Sequence, residues 1–363
     1  MTDPTHLHSR SPSPGQGGAY GPAGSGGAGS GAKMGSESGD LAHLLEPALR
    51  EACEGRLSAI SWFRSAWQAG GASTGFATLR RHDGADVEVV VKLPVGPSEF
   101  RWTTALGGCP EPGLAQPGAE PLSWATPRVL ASGMELGGYD LAWLVIEKLH
   151  GSPLSAHLDE SGVKDLLGAA VEWYSCAPKV RPVEEAALPQ AKDWKGLIAK
   201  GREIIHNHGI ALEQRWNEAI KATQRVLPRL LERWNARPLN TWCHGDLHPG
   251  NAMRRAGVDG TGGCVLIDMA LVHPGHWVED AVYLERLYWA KPELLCGVKP
   301  VSFVARLLRE RGLIGGEDYT ALAAIRRVLM AASVPAFLSH EGHPKYVHAA
   351  LETLERQLVL VGR

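Results

Sequence analysis

The sequence predicts an α+β fold in two parts, a small β-rich lobe followed by a larger α-helical lobe. Two observations support this fold class. Up to residue 147, short runs of β-branched and aromatic residues are separated by glycine-rich turns, a pattern typical of hairpins. After His150-Gly151, apolar residues recur at the spacing of amphipathic helices. We therefore expect two lobes joined by a connector near residues 147–151.

The first lobe is expected to begin with a helix and to continue as a β-sheet. A helix is predicted from Leu41, with Asp40 as its N-cap, and a second helix over residues 98–106. Turn-forming residues separate the predicted strands, which are 58–67, 76–81, 86–93, 128–134 and 141–147.

The strand over 86–93 has the clearest pattern in this lobe. Val87, Val89, Val91 and Leu93 are two residues apart and therefore share one face of the strand. Lys92 therefore points to the opposite face, away from the predicted core.

The second lobe is predicted to be helical. Apolar residues at helical spacing define its segments, which are 163–174, 216–234, 303–311, 319–338 and 346–361. No internal repeat is present, so the lobe is not a solenoid.

Composition excludes several classes of function. The formal net charge is -2, with 37 Lys and Arg against 39 Asp and Glu, so no global field would attract nucleic acid or an anionic membrane. The six cysteines are scattered without a C-x-x-C pair, which argues against a zinc ribbon or a disulfide scaffold. No apolar run is long enough to span a bilayer, and the first thirty residues lack the apolar core of a secretory signal. We therefore expect a cytoplasmic protein.

The first 39 residues differ from the rest of the chain. Gly, Ser and Pro dominate them and large apolar side chains are nearly absent, so burial cannot offset the entropy of ordering. We expect a disordered tail over 1–39, a first lobe over 40–147 and a second lobe over 148–363.

One stretch concentrates the polar groups that chemistry would need. Residues 241–251 read Thr-Trp-Cys-His-Gly-Asp-Leu-His-Pro-Gly-Asn, with Asp246 followed five residues later by Asn251. Asp268 then ends a short apolar run. A carboxylate on a rigid loop can accept the proton of an attacking hydroxyl, while a carboxylate and an amide oxygen can hold Mg²⁺ beside phosphates. The spacing therefore fits phosphoryl transfer, with Asp246 as the base and Asn251 and Asp268 as metal ligands.

The pattern His244-x-Asp246-x-x-x-x-Asn251, with Asp268 after an apolar strand, resembles the aminoglycoside phosphotransferase and choline kinase family. The form HGDLHPGN is closer to these small-molecule kinases than to the HRD form of protein kinases. The resemblance covers about residues 55–345. It implies a bilobal protein kinase-like fold, ATP as the nucleotide with GTP as an alternative, Mg²⁺, and direct in-line transfer to a small-molecule acceptor.

The resemblance also implies nucleotide-binding residues in the first lobe. Lys92 would bind the α- and β-phosphates, and Glu99 would pair with it, unless Glu111 or Glu120 does so and Glu99 is an ordinary first-turn glutamate. The connector would hold adenine through its backbone, at Glu147 and Leu149. Small residues upstream of the lysine resemble a phosphate loop, namely Gly70, Gly71, Ser73 and Thr74.

Three further residues are implied to support the site. His244 resembles the family's structural histidine, which holds the catalytic loop by hydrogen bonds. His248 either faces the phosphates or packs the loop beside Pro249. Asp280 resembles the aspartate that braces the catalytic loop, its alternative being an ordinary carboxylate at a helix start. The sequence contains no histidine pair of the helical H-E-x-x-H form, so it does not predict a zinc site.

The sequence departs from the family after the second aspartate. Met269 and Ala270 stand where the family usually has an aromatic and then a glutamate or glycine. Met can fill the space of an aromatic, but the loss of the acid leaves a nucleotide-binding pseudokinase with a regulatory role as an alternative. A protein Ser/Thr kinase-like enzyme is a remoter one, since no HRD, DFG or A-P-E segment is present. The acceptor could be an amino sugar, an amino alcohol or a related metabolite, and the oligomeric state is not indicated.

Overall fold

The structure, a computed structural model, describes residues 34–63, 72–109, 111–116, 120–255, 263–315 and 318–362. Residues 1–33 of the tail predicted over 1–39, and the phosphate-loop residues Gly70 and Gly71, lie outside this part of the chain.

The first lobe contains an antiparallel sheet of six strands and two helices. The strands are β1 (Ser61–Phe63), β2 (Ser73–Arg80), β3 (Asp86–Leu93), β4 (Gly113–Leu114), β5 (Val129–Gly133) and β6 (Trp143–Glu147). Their order in the sheet is β1-β2-β3-β6-β5-β4. One helix precedes β1 and the other lies between β3 and β4. The helices are α1 (Met34–Ala52) and α2 (Pro97–Leu106).

The core of the first lobe lies between α1 and the sheet. Leu45 and Leu49 of α1 pack with Leu79, Val89 and Val91 from the strands. The side-chain alternation predicted for β3 is present, because both valines are fully buried while Lys92 is not. This arrangement leaves the lysine on the opposite face of the sheet.

Helix α1 begins before the predicted boundary of the lobe. It starts at Met34, so Asp40 lies inside the helix and is not its N-cap. Residues 34–39 are therefore helical, although they were predicted to belong to the tail. Their sequence carries no apolar stripe, and periodicity detects a helix only where its apolar face begins, here at Leu41.

The second lobe contains eight helices within the described residues and two short β-ladders. The helices are α3 (Glu160–Val180), α4 (Trp194–His208), α5 (Glu213–Asn235), α6 (Val278–Leu287), α7 (Pro300–Glu310), α8 (Tyr319–Ser333), α9 (Leu338–Glu341) and α10 (Pro344–Val361). The ladders pair β7 (Thr241–Cys243) with β10 (His273–Gly275), and β8 (Ala252–Arg254) with β9 (Cys264–Leu266).

The two lobes share part of one core. Trp102 of α2 packs edge-on against Trp242 of β7, with ring centroids 4.7 Å apart, and against Trp173 of α3 at 5.4 Å. Leu106 and Ala125 join the same cluster. A helix that belongs to the first lobe by sequence is therefore anchored in the second lobe by packing.

One described segment, Tyr319–Phe337, is long and apolar enough to cross a membrane by length and composition. Of its most apolar window, 67% is buried inside the protein, which is the pattern of a core helix.

Candidate active site

The catalytic loop predicted from the sequence runs from the end of β7 to the start of β8. Gly245 has a φ of 84°, and a Cβ at this position would lie 2.2 Å from the carbonyl oxygen of Leu271. Only glycine fits such a close backbone approach at positive φ. The tight turn ends the ladder and places Asp246 at the start of the loop.

Asp280 of α6 binds the backbone of this loop. Its carboxylate accepts hydrogen bonds from the backbone N–H of His244 at 2.7 Å and of Gly245 at 2.9 Å. The hydroxyl of Tyr174 donates a third bond at 2.9 Å. Asp280 is 1% exposed, so these three donors satisfy a carboxylate that water cannot reach. The geometry is that of a loop brace.

The buried ring of His244 stabilises the loop through two hydrogen bonds. Its Nδ1 accepts a hydrogen bond from the backbone N–H of Asp246 at 3.3 Å, so the proton of the neutral ring lies on Nε2. That nitrogen donates to the carbonyl oxygen of Ile267 at 3.1 Å, which joins the loop to the strand before Asp268. Complete burial lowers the pKa of His244, and this favours the neutral ring that the two bonds require.

The Asp246 carboxylate is fixed by three side chains. Oδ1 accepts from the hydroxyl of Tyr283 at 2.6 Å, and Oδ2 accepts from Asn251 Nδ2 at 3.1 Å. The Nε2 of His248 lies 3.4 Å from Oδ2. Burial acts to raise the pKa of Asp246, but the bonds from His248 and Tyr283 outweigh it, so the pKa lies below its ordinary value. The group is ionised at neutral pH.

His248 is turned toward the aspartate. Its Nδ1 accepts a hydrogen bond from the backbone N–H of Gly250 at 3.0 Å, which leaves Nε2 to donate toward Asp246. The ring therefore packs the loop and also contacts the predicted base.

Asn251 and Asp268 lie at the same end of a β-ladder, on its two strands' continuations. The backbone N–H of Ile267 donates to the carbonyl oxygen of Asn251 at 2.9 Å, and β8 pairs with β9 from the next residue onward. Because Asn251 Nδ2 is bound to Asp246, its Oδ1 is the atom that remains for a cation. Asp268 is exposed and adopts a φ of 67°. One amide and one carboxylate oxygen form a donor set that fits Mg²⁺.

Lys92 and Glu99 form an ion pair. The Nζ of Lys92 on β3 contacts Oε1 of Glu99 on α2, and Glu99 is 8% exposed. Of the alternative partners, Glu120 lies near Arg128 instead. The structure thus brings together the two residues that the resemblance paired.

Ser73 and Thr74 lie in a strand and not in the predicted loop. β2 begins at Ser73 and pairs with β3 over its whole length. Thr74 is the cross-strand partner of Lys92, so both side chains lie on the same face of the sheet. The strand was predicted from residue 76, and the first three residues of β2 were assigned to the loop because small residues are typical of turns.

The connector is held by an arginine from the second lobe. The carboxylate of Glu147 accepts from Arg255 Nε at 3.2 Å and from the backbone N–H of Arg128 at 2.8 Å. Within the described ranges, the backbone N–H of Leu149 has no hydrogen-bond partner. The side chain of Glu147 is thus structural, while the backbone beyond it can bind a ligand.

Met269 joins the two halves of the site. It is fully buried, as expected for a residue that replaces an aromatic. Its carbonyl oxygen accepts a hydrogen bond from Ser98 Oγ of α2 at 3.0 Å. Since Ser98 precedes Glu99 and Met269 follows Asp268, this bond brings the lysine–glutamate pair next to the candidate metal ligands.

A small β-sheet lobe that carries a lysine, followed by a helical lobe whose loop and hairpin carry two aspartates and an asparagine, is typical of phosphotransferases. The chain belongs to the phosphotransferase enzyme family (APH), whose sequence profile matches residues 71–325. It is therefore an enzyme that transfers a phosphoryl group to an alcohol group. The predicted family and fold class are confirmed.

Solved structures of similar fold are aminoglycoside phosphotransferases. A putative one from Ralstonia eutropha is 11% identical, with a TM-score of 0.50 over 87% of this chain and 98% of that one. An enzyme from Alicyclobacillus acidocaldarius is 13% identical, with a TM-score of 0.49 over 86% and 95%. An aminoglycoside-3'-phosphotransferase of type VIII is 21% identical, with a TM-score of 0.41 over 81% and 100%. No curated protein sequence matches the chain significantly.

Proposed function

We propose that this phosphotransferase moves the γ-phosphoryl group of ATP to a hydroxyl of a small molecule, with Asp246 as the base. The observation that carries the proposal is the arrangement around Asp246, an ionised carboxylate aimed by three donors on a braced loop. A base of this kind needs a phosphate site beside it, and the Ser98–Met269 bond supports one by bringing Lys92 and Glu99 next to Asp268.

The nucleotide is proposed to lie between the sheet and the catalytic loop. Lys92 and Thr74, on the same face of adjacent strands, would contact the phosphates, with Glu99 orienting the lysine. The backbone N–H of Leu149 would donate a hydrogen bond to an acceptor atom of the nucleotide's purine ring. ATP is the proposed nucleotide, with GTP as the alternative.

Asn251 and Asp268 would hold Mg²⁺, which supplies positive charge against the phosphate oxygens. The acceptor hydroxyl forms a bond to the γ-phosphorus while the bond from that phosphorus to the β-phosphate oxygen breaks. The hydroxyl proton passes to the Asp246 carboxylate, and the nucleoside diphosphate leaves. We propose an amino sugar, an amino alcohol or a related metabolite as the acceptor.

The replacement of Asp246 by Asn tests this mechanism. ATP consumption would be measured with Mg²⁺ over a panel of amino sugars, amino alcohols, sugars and nucleosides. We expect Asp246→Asn to lower kcat by about 10²- to 10⁴-fold, the usual contribution of a general base. Nucleotide affinity should persist, because Asp246 does not hold the nucleotide. Asp140→Asn, an exposed change of the same kind, is the matched control. Unchanged turnover in Asp246→Asn would refute the assignment.

A regulatory pseudokinase is the alternative that Ala270 motivates, because the acid that usually stands there is missing. The same assay separates the two functions. Nucleotide binding without turnover on any acceptor, or on water, would favour the pseudokinase.

A further inference from the structure

Tyr283 contacts the predicted base, although its position in the sequence gave no sign of this. Its hydroxyl donates to Asp246 Oδ1 at 2.6 Å, the shortest of the bonds that reach this carboxylate. The ring is 7% exposed, so the hydroxyl is directed by packing and not by solvent. A short bond to an ionised acceptor is a strong one.

The same face of one helix holds both the backbone and the side chain of the base. Asp280 and Tyr283 are three residues apart on α6 and therefore project from the same face. Asp280 binds the N–H groups of His244 and Gly245, and Tyr283 binds the carboxylate that follows them. A shift of α6 would thus move the loop and its functional group together.

The pattern of bonds also distinguishes the two oxygens of Asp246. Oδ2 faces two donors, Asn251 Nδ2 at 3.1 Å and His248 Nε2 at 3.4 Å. Oδ1 receives only the Tyr283 hydroxyl among the described residues. Since a carboxylate oxygen has two in-plane acceptor directions, Oδ1 keeps one of them open. An acceptor hydroxyl can use that direction without displacing a donor of the protein.

We propose that Tyr283 is a positioning residue for the reaction, and that the acceptor hydroxyl binds to Asp246 Oδ1 beside the tyrosine hydroxyl. This inference rests on the proposed function, because it assigns the acceptor to the same base. Tyr283 occupies one acceptor direction of Oδ1 and holds the carboxylate so that the other direction faces the incoming hydroxyl. The tyrosine keeps its own proton, and the proton of the acceptor goes to Oδ1.

The variant Tyr283→Phe removes the hydroxyl and keeps the ring. We expect kcat for MgATP hydrolysis, with water as the acceptor, to fall about tenfold, because one charge-assisted bond that aligns the base is lost. KM for MgATP should stay within about twofold, since the tyrosine lies on the acceptor side. Tyr288→Phe is the matched control, a tyrosine at the end of the same helix whose hydroxyl has no partner among the described residues.

A double-mutant cycle tests whether Tyr283 acts through Asp246. In the Asp246→Asn background, Tyr283→Phe should cause no further loss of kcat, because the aligned carboxylate is already gone. Equal losses in both backgrounds would overturn the proposal, as would a Tyr283→Phe enzyme that matches Tyr288→Phe in kcat. If Asp246→Asn itself retains full turnover, the proposed function fails, and this outcome is separate from the behaviour of Tyr283.

Discussion

At the scale of single residues, Glu279 shows how buried charge supports the catalytic loop from outside the cleft. Its Oε1 accepts from Arg237 Nε at 2.9 Å and from the backbone N–H of His276 at 3.1 Å. Arg326 and His273 lie 3.9 Å from Oε2. Glu279 is 6% exposed and immediately precedes the loop brace Asp280.

This group also includes three atoms of metal-ligand type, from Cys243, His273 and Glu279, which lie within 4.8 Å of one another. Burial raises the pKa of the Cys243 thiol well above its ordinary value, so the thiol stays protonated. Arg237 and Arg326 already supply the charge that Glu279 needs. We therefore interpret the group as an ion-pair cluster.

Glu279→Gln is predicted to destabilise the protein. Burial acts to raise the pKa of Glu279, but His273 and the two arginines lower it far below its ordinary value. Removing the charge leaves both arginines without their partner, so the free energy of unfolding should fall by about 3 kcal/mol. Urea denaturation at pH 7 measures this, with the exposed Glu51→Gln as the control.

The sign of the pH dependence follows from the same shift. Because the pKa of Glu279 is depressed by folding, its contribution is complete above the unfolded pKa of about 4.3 and is lost as pH falls through the folded pKa. The difference in the free energy of unfolding between wild type and Glu279→Gln should therefore become smaller as the pH falls below about 4.3. A gap that widens between pH 6 and pH 4 would contradict this account.

Sequence reasoning proposed site residues that lie close together in the sequence, and it did not single out a residue that only tertiary packing brings to them. Asp246, Asn251 and Asp268 were predicted together because a short loop and one hairpin connect them. Tyr283 lies 37 residues from the aspartate that it contacts, and only the packing of α6 unites them. No local pattern separates such a tyrosine from an ordinary core residue.

At the scale of elements, α2 connects the phosphate side of the site to the metal side. Glu99 in its first turn reaches Lys92, and Ser98 reaches the carbonyl of Met269. Further along, Trp102 and Leu106 are buried in the core of the second lobe. The helix is therefore held at both ends, and its glutamate needs no rearrangement to meet the lysine.

Ser98→Ala tests this link. The variant loses one hydrogen bond across the lobes, worth about 1 kcal/mol, so we expect kcat/KM for MgATP to fall about fivefold. Ser302→Ala, an exposed serine on α7, is the control. A Ser98→Ala enzyme as active as this control would mean that packing of Trp102 alone holds α2 in place.

Helices and strands with a regular pattern of apolar residues were predicted well, and those without such a pattern were not. The bounds of β3 agree with the prediction, because its alternation continues from end to end. Helix α4 was not predicted, since Gly196 and Gly201 interrupt its apolar pattern, and for α6 the sequence indicated only a helix start at Asp280, as the alternative to a residue that supports the loop. In both cases tertiary packing stabilises a helix that local propensity leaves undecided.

At the scale of the whole molecule, the lobes are joined by more than the connector. Ala125, from the first lobe by sequence, accepts a backbone hydrogen bond from Leu266 at 2.8 Å. Arg255, directly after β8, donates to the carbonyl oxygens of Trp124 at 2.8 Å and Thr126 at 3.0 Å. The division at residue 147 was inferred from the change in hydrophobic periodicity along the sequence. In the structure, residues before this position also pack in the core of the second lobe.

Arg255 makes several polar contacts at this junction. It binds two carbonyl oxygens and the carboxylate of Glu147, and its side chain is 15% exposed. Arg255→Met would keep the length of the side chain while leaving these acceptors unpaired. We expect the free energy of unfolding to fall by about 2–3 kcal/mol, because a part-buried carboxylate loses its partner.

The same change should weaken nucleotide binding. Glu147 lies just before Leu149, whose backbone N–H is proposed to bind the purine ring of the nucleotide. The Kd for ATP, measured by calorimetry, should rise several-fold in Arg255→Met. Arg254→Met is a close control, since this neighbour is about half exposed and pairs with Asp165 on the surface of the second lobe. If both variants bind ATP as the wild type does, the connector keeps its geometry without the arginine. If only Arg255→Met loses affinity, the contact between the lobes positions the nucleotide site.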